Sequence, residues 1–189
     1  MNICIFAGTF NPIHNAHIKM AEFALEKFGF DKIIFIPSYI PPHKDVDKTL
    51  SMHRYNMVKL AIADNKNFEI SDIEYKSEEK SYSLLTVKKI IKKYKIKGKL
   101  NFIIGTDAFL KIESWYHADE LKELVHFIVF PRKGNYIESL HILKNKGWDF
   151  ELVNSVLINI SSTEIRQNTK NITNKKIEEY IENHGLYKS

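Results

Sequence analysis

The chain has 189 residues, of which 44% are hydrophobic and 27% charged. That length and balance suit one domain with a proper core and exclude wholesale disorder. The single cysteine, Cys4, excludes an internal disulfide and a multi-cysteine metal knuckle. The formal charge of +5 raises a nucleic-acid reading. However, Lys88, Lys89, Lys92, Lys93, Lys95 and Lys97 gather around one helix and its exit, with no binding motif and no aromatic residue among them but Tyr94. A solvated face is the better reading, and no nucleic-acid partner is expected.

The first element is the apolar run from Asn2 to Ala7, a buried strand ended by Gly8. Cys4 lies inside it and reads as a small packed residue, not a nucleophile. The run lacks the basic flank of a signal peptide. Nowhere does the chain reach the roughly 18 apolar residues of a membrane helix. No membrane partner is expected, and a cytoplasmic protein is the simplest reading. From His17 onward Met20, Ala21, Ala24, Leu25 and Phe28 keep helical spacing, with Gly29 as C-cap.

Lys32 to Ile36 is the next buried strand, stopped by Pro37. A helix follows over about Ser51 to Ala63, then a short strand from Phe68 to Ile73. Ser81 is expected to cap a helix carrying Leu84, Val87, Ile91 and Tyr94. Leu100 to Ile104 is again a buried strand, ended by Gly105. His126 to Phe130 closes the main series, and Leu152 to Ile158 is expected to add one more strand. Ser161 and Glu164 match an S-x-x-E capping box, which starts a helix. Without repeats, low-complexity tracts or a Pro/Gly-rich linker, residues 1–189 read as one domain.

Buried strands alternating with helices predict an α/β fold: a doubly wound, mostly parallel, Rossmann-like sheet. Ligands bind such sheets beyond the carboxyl ends of the strands, at the switch point. The strands ending at Gly8 and Gly105 are expected to flank that point, with Gly8–His17 and Gly105–Asp107 on opposite sides of one crevice.

Gly8-Thr9-Phe10-Asn11-Pro12-Ile13-His14-Asn15-Ala16-His17 joins the first strand to the first helix. Gly8 permits a tight turn and close approach of a phosphate. The helix start aims unpaired N–H groups and its positive dipole end at the same spot. His14 and His17 can project together from the first turn. Spacing alone leaves phosphate contact and two satisfied surface histidines equally open. A metal is disfavoured, since no third ligand and no H-E-x-x-H accompany them, and no protein metal site is expected.

The segment resembles the G-x-F-x-P-x-H-x-x-H signature of the HIGH-motif nucleotidylyltransferases. Ile160-Ser161-Ser162-Thr163-Glu164-Ile165-Arg166 is similar to their second motif, ISSTxIR. Pro41-Pro42-His43-Lys44, Gly105-Thr106-Asp107, Ser114-Trp115 and the ending His184-Gly185-Leu186-Tyr187 resemble the bacterial nicotinate-nucleotide adenylyltransferases. The likeness spans the chain, with its motifs in family order. It departs at Ala16, where the family usually has glycine, and at Asn11, where it often has aspartate. The added methyl of Ala16 is expected to displace a phosphate slightly at most.

The resemblance implies AMP transfer from ATP to nicotinate mononucleotide, with magnesium accompanying ATP. His14, His17, Lys44 and Arg166 would be catalytic. Gly8, Thr9, Phe10, Asp107, Ile160, Ser161, Ser162, Thr163 and Arg166 would hold ATP, with Asp107 on the ribose. Lys44, Tyr82, Ser83, Thr86, Gly105, Thr106, Trp115 and Arg132 would hold the acceptor, with the Trp115 indole stacked on its pyridine ring.

Blander readings stand beside several of these: a capping box for Ser161, a helix N-cap for Asp107, a helix start for Tyr82 to Thr86, core packing for Trp115. Phosphopantetheine adenylyltransferase shares the outer motifs but would lack Pro41 to Lys44, Trp115 and the His184 to Tyr187 ending. A class I aminoacyl-tRNA synthetase would be longer, with a KMSKS-type loop in place of Ile160–Arg166. A non-catalytic RNA-binding module remains the rival from another class. Homo-oligomerisation is left open.

Overall fold

The computed structural model describes residues 1–42, 48–76, 80–132, 134–154 and 174–188. Six strands form one parallel sheet: β1 (Ile3–Gly8), β2 (Lys32–Pro37), β3 (Phe68–Ile70), β4 (Leu100–Gly105), β5 (Val125–Phe130) and β6 (Phe150–Leu152). Their order is β3-β2-β1-β4-β5-β6. The chain therefore winds outward from β1, returns to the centre at β4, and winds outward the other way. The switch point lies between β1 and β4, which pair at Cys4↔Asn101 and Ile5↔Phe102. This is the doubly wound α/β architecture expected from the sequence.

Seven helices flank the sheet among the described residues: α1 (Asn15–Phe28), α2 (Ser51–Ile62), α3 (Ser83–Tyr94), α4 (Thr106–Phe109), α5 (Ala118–Leu124), α6 (Ile137–Asn145) and α7 (Lys175–His184). None is long and apolar enough to cross a membrane. The strands are apolar throughout because both faces are covered. Cys4 and Phe6 of β1 join the layer with Met20 and Ala24 of α1, Met57 of α2, and Ile177 and Ile181 of α7. Ile3 and Ile5 join the opposite layer with Leu84 and Val87 of α3, Leu121 of α5 and Leu140 of α6. Each fully buried Val, Leu, Ile, Phe or Met side chain contributes about 1.5–3 kcal/mol. Burial also pushes the Cys4 thiol well above its ordinary pKa, in keeping with a packing role.

The structure corrects several local expectations. Ser81 does not cap α3, whose N-cap is Tyr82. Its hydroxyl instead accepts the N–H groups of Tyr39 and Ile40 at 3.0 and 3.1 Å. β3 stops at Ile70, short of Ile73, where a turn begins. β6 runs over Phe150–Leu152, earlier than the run read from Leu152. As an edge strand it pairs only with β5, so Phe150 and Leu152 alternate with an exposed Glu151 and present no continuous apolar run. Residues 155–158 and the Ser161–Glu164 capping box lie outside the described residues.

Candidate functional site at the switch point

The loop after β1 is held in an unusual backbone state. Phe10 has φ 46°, a left-handed conformation that a bulky residue rarely adopts. Its ring turns inward, meeting Phe6 edge-on at 5.3 Å and His17 at 5.1 Å between centroids. The chain then enters α1 with His14 as N-cap in extended conformation. His14 is only 2% exposed, and its ring stacks on half-buried His17 at 3.7 Å.

The His14 N–H donates to His17 Nδ1 at 3.2 Å, closing half of a capping box. A backbone N–H can only donate, so Nδ1 supplies its lone pair. Neutral His17 then carries its proton on Nε2, which makes that nitrogen a donor. His14 and His17 thus form one stacked unit at the positive end of a 14-residue helix, with His17 the more accessible. Ala16 is 4% exposed, so its methyl has little surface to present to a phosphate.

Across the switch point, β4 ends at Gly105. Gly105, not Asp107, is the N-cap of α4, and Asp107 sits exposed in the first turn. A Cβ on Gly105 would stand 2.7 Å from Asp107 Oδ1 and 3.4 Å from Arg132 Nε. Glycine is what lets both side chains close over this strand end. Thr106 is 2% exposed, and its hydroxyl accepts the Arg132 N–H at 2.9 Å, tying the ends of β4 and β5 together. The structure thus places Gly8, Thr9, Phe10, His14, His17, Gly105, Thr106, Asp107 and Arg132 at or just beyond the carboxyl ends of β1, β4 and β5.

Trp115 is half-buried against the second layer, just after a short 3-10 turn. Its neighbour Tyr116 is exposed and stacks on Tyr82 at 4.5 Å, joining this loop to the start of α3, where half-buried Ser83 lies. Thr86 is buried, and its hydroxyl donates to Glu74 Oε1 at 2.7 Å, facing the interior. Lys44, Ile160, Ser161, Ser162, Thr163 and Arg166 lie outside the described residues.

Four residues to which the sequence assigned no role in the site support these loops. Arg54 is fully buried on α2 and donates to the carbonyls of Thr9, Ser38 and Tyr39. Burial draws the guanidinium below its ordinary pKa, while Tyr75, Tyr187 and Glu74 favour its charge. Glu74 is 7% exposed and takes the Tyr39 N–H at 3.3 Å as well as Thr86. Burial raises its carboxyl, against the hydrogen bonds from Ser81, Thr86 and Tyr39. Tyr187, near the C-terminus, donates its hydroxyl to Asn11 Oδ1. Tyr116 is the fourth. Tyr187 belongs to the His184–Tyr187 ending that the sequence flagged, and Tyr116 shows as an aromatic residue beside Trp115, whereas Arg54 and Glu74 left no such signal.

Residues 5–168 match the family model for cytidylyltransferase-like proteins. The chain is 38% identical to "Nicotinate-nucleotide adenylyltransferase" of Bacillus subtilis, over 99% of this chain and 98% of that one. It is 39% identical to "Probable nicotinate-nucleotide adenylyltransferase" of Caldicellulosiruptor saccharolyticus over the full length of both. Among solved structures, a Plasmodium falciparum nicotinic acid mononucleotide adenylyltransferase complexed with NaAD superposes with a TM-score of 0.78, covering 98% of this chain and 97% of that one at 24% identity. That likeness shows the shared fold.

Proposed function

The chain belongs to the nicotinate-nucleotide adenylyltransferase family, and we propose that it transfers AMP from ATP to nicotinate mononucleotide. The products are nicotinate adenine dinucleotide and pyrophosphate. The observation that carries the reading is the stacked His14–His17 pair at the start of α1, which follows β1, the strand that pairs with β4 at the switch point.

The acceptor phosphate is anionic at neutral pH, so its oxygen attacks the α-phosphorus of ATP without a general base. The bond from the α-phosphorus to the α–β bridging oxygen breaks, and pyrophosphate leaves with the electron pair. The protein's part is to align the two phosphates and stabilise charge on the phosphoryl oxygens. His17, with its proton on Nε2, is a donor suited to those oxygens, and the N–H groups opening α1 add to it. Lys44 and Arg166 supply cationic contacts, a role read from their place in the family motifs. Asp107 takes the adenosine ribose, and Trp115 stacks on the pyridine ring.

ATP enters as its magnesium complex, with the ion held largely by the phosphates. Among the described residues no group of three or more His, Cys, Asp or Glu could hold a metal. A substrate of this kind supports placement in the cytoplasm.

Pyrophosphate release from ATP and magnesium, measured with nicotinate mononucleotide, nicotinamide mononucleotide and phosphopantetheine in parallel, tests the proposal. The acid is expected to be favoured over the amide by about 10⁴-fold in kcat/KM, since a pocket of donors leaves the carboxamide's own donors unsatisfied. Equal values would indicate a dual-specificity enzyme. Activity only with phosphopantetheine would refute the proposal.

A further inference from the structure

Arg54 is a fully buried cation in a layer otherwise made of Met57, Val58 and their apolar neighbours. Burying such a charge disfavours folding unless its hydrogen bonds are well made. Here Nη1 and Nη2 bond to the backbone of two loops, while the buried Nε has no partner among the described residues. Nη1 donates to the Thr9 carbonyl at 2.7 Å and to the Ser38 carbonyl at 2.6 Å, and Nη2 donates to the Tyr39 carbonyl at 3.2 Å. Thr9 follows β1, whereas Ser38 and Tyr39 follow β2. The two strands pair up to Gly8↔Pro37, and the Ser38 N–H donates to the Gly8 carbonyl at 2.9 Å. One planar guanidinium therefore bridges the carboxyl ends of neighbouring strands. A rigid fork suits this, whereas an ammonium is a point charge.

Peptide geometry turns this anchor into a positioning device. In a trans peptide the carbonyl and the following N–H point to opposite sides. At Ser38 and Tyr39 both sides are visible: the carbonyls face Arg54, while the next N–H groups, of Tyr39 and Ile40, face Ser81 Oγ. By the same rule, holding the Thr9 carbonyl turns the Phe10 N–H away from Arg54. We propose that Arg54 is a positioning residue for nucleotidyl transfer: it fixes the Thr9–Phe10 peptide and locks to it the Ser38–Tyr39 loop that follows β2. The crevice donors are thereby set before substrates arrive. This rests on the transfer reaction proposed above.

Arg54→Lys and Arg54→Met are compared with wild type for pyrophosphate release at 25 °C, with melting curves alongside and the acceptor that wild type uses best. Both variants are expected to fold. Arg54→Met loses about ten- to a hundredfold in kcat, as small misplacements of reacting groups do, with the KM for each substrate changing much less. Arg54→Lys, keeping the charge but with its donors on a single nitrogen, recovers part of the loss. A merely structural arginine would lower the melting temperature and leave kcat, measured well below it, unchanged.

The proposal is overturned by Arg54→Lys failing to fold, by either variant keeping wild-type kcat, or by effects confined to KM. Wild type that releases no pyrophosphate with any phosphorylated acceptor overturns the transfer reading, and this proposal with it.

Discussion

Gly105→Ala separates the fold from the site at the end of β4. The backbone there, at φ −86° and ψ 156°, accepts an alanine without strain. The new methyl would nevertheless stand 2.7 Å from Asp107 Oδ1, well inside a normal non-bonded contact of about 3.5 Å, so the carboxylate must swing aside. Asp107 is exposed and can move at little cost. Losing glycine from the N-cap of four-residue α4 adds a small penalty, so the total stays within about 1 kcal/mol, or roughly 2–4 °C in a chain of this size.

The functional effect is expected to be larger. If Asp107 holds the adenosine ribose, the displaced group forfeits a charged hydrogen bond worth about 1.5–3 kcal/mol. At RT of about 0.59 kcal/mol, that corresponds to a roughly ten- to 150-fold rise in ATP KM. Steady-state pyrophosphate release at saturating acceptor measures it, with Asp107→Ala setting the ceiling. An ATP KM unchanged in both variants refutes the ribose role. A rise in Gly105→Ala alone transfers the effect to Arg132, whose Nε lies 3.4 Å from the same methyl.

His17→Ala is expected to lower kcat by about a hundredfold or more, as loss of one preorganised oxyanion donor does; near-normal turnover would remove it from the mechanism. Trp115→Ala is expected to raise acceptor KM by roughly ten- to a hundredfold, the worth of one stacking platform, with ATP KM steady. An equal loss for ATP would make Trp115 a core residue. Glu74 gives a pH signature. Because burial raises its folded-state pKa, it stabilises the fold fully below its ordinary value of 4.5, and that contribution disappears as pH climbs through the raised value. Wild type should therefore lose melting temperature relative to Glu74→Gln over that interval. A constant difference from pH 4 to 8 would contradict the assignment.

The sheet was legible because its strands are buried on both faces, so apolar runs such as Ile33–Ile36 and Phe102–Ile104 could be read directly. The switch point followed from their order. The weaker elements were not legible. α5 buries only Leu121, α6 only Leu140 and Leu143, and α7 only Ile177 and Ile181, too few for a clear period. Ser81 looked like a cap because local spacing cannot reveal partners more than forty positions earlier. Arg54 and Glu74 were hidden for the same reason. Arg54 is one cation in a basic chain, and its acceptors are carbonyls, which carry no side-chain signature. Asp107 and Arg132 both lie over Gly105 only because the ends of β4 and β5 are neighbours.

The loop after β1 shows why these buried groups matter to chemistry that needs no general base. A left-handed bulky residue such as Phe10 costs of order 1–3 kcal/mol, so the loop needs anchors to keep it. Burying the Phe10 ring supplies about 1.5–3 kcal/mol and offsets the strain. Arg54 fixes the carbonyl just before Phe10, and Tyr187 holds the side chain just after it. Residues 9, 10 and 11 are thus pinned from α2, from the core and from the C-terminal segment. In this arrangement Phe10 serves through its ring and its backbone. Donors already aimed need no reorganisation as charge develops, and such preorganisation is the largest contribution a protein can make to phosphoryl chemistry of this kind.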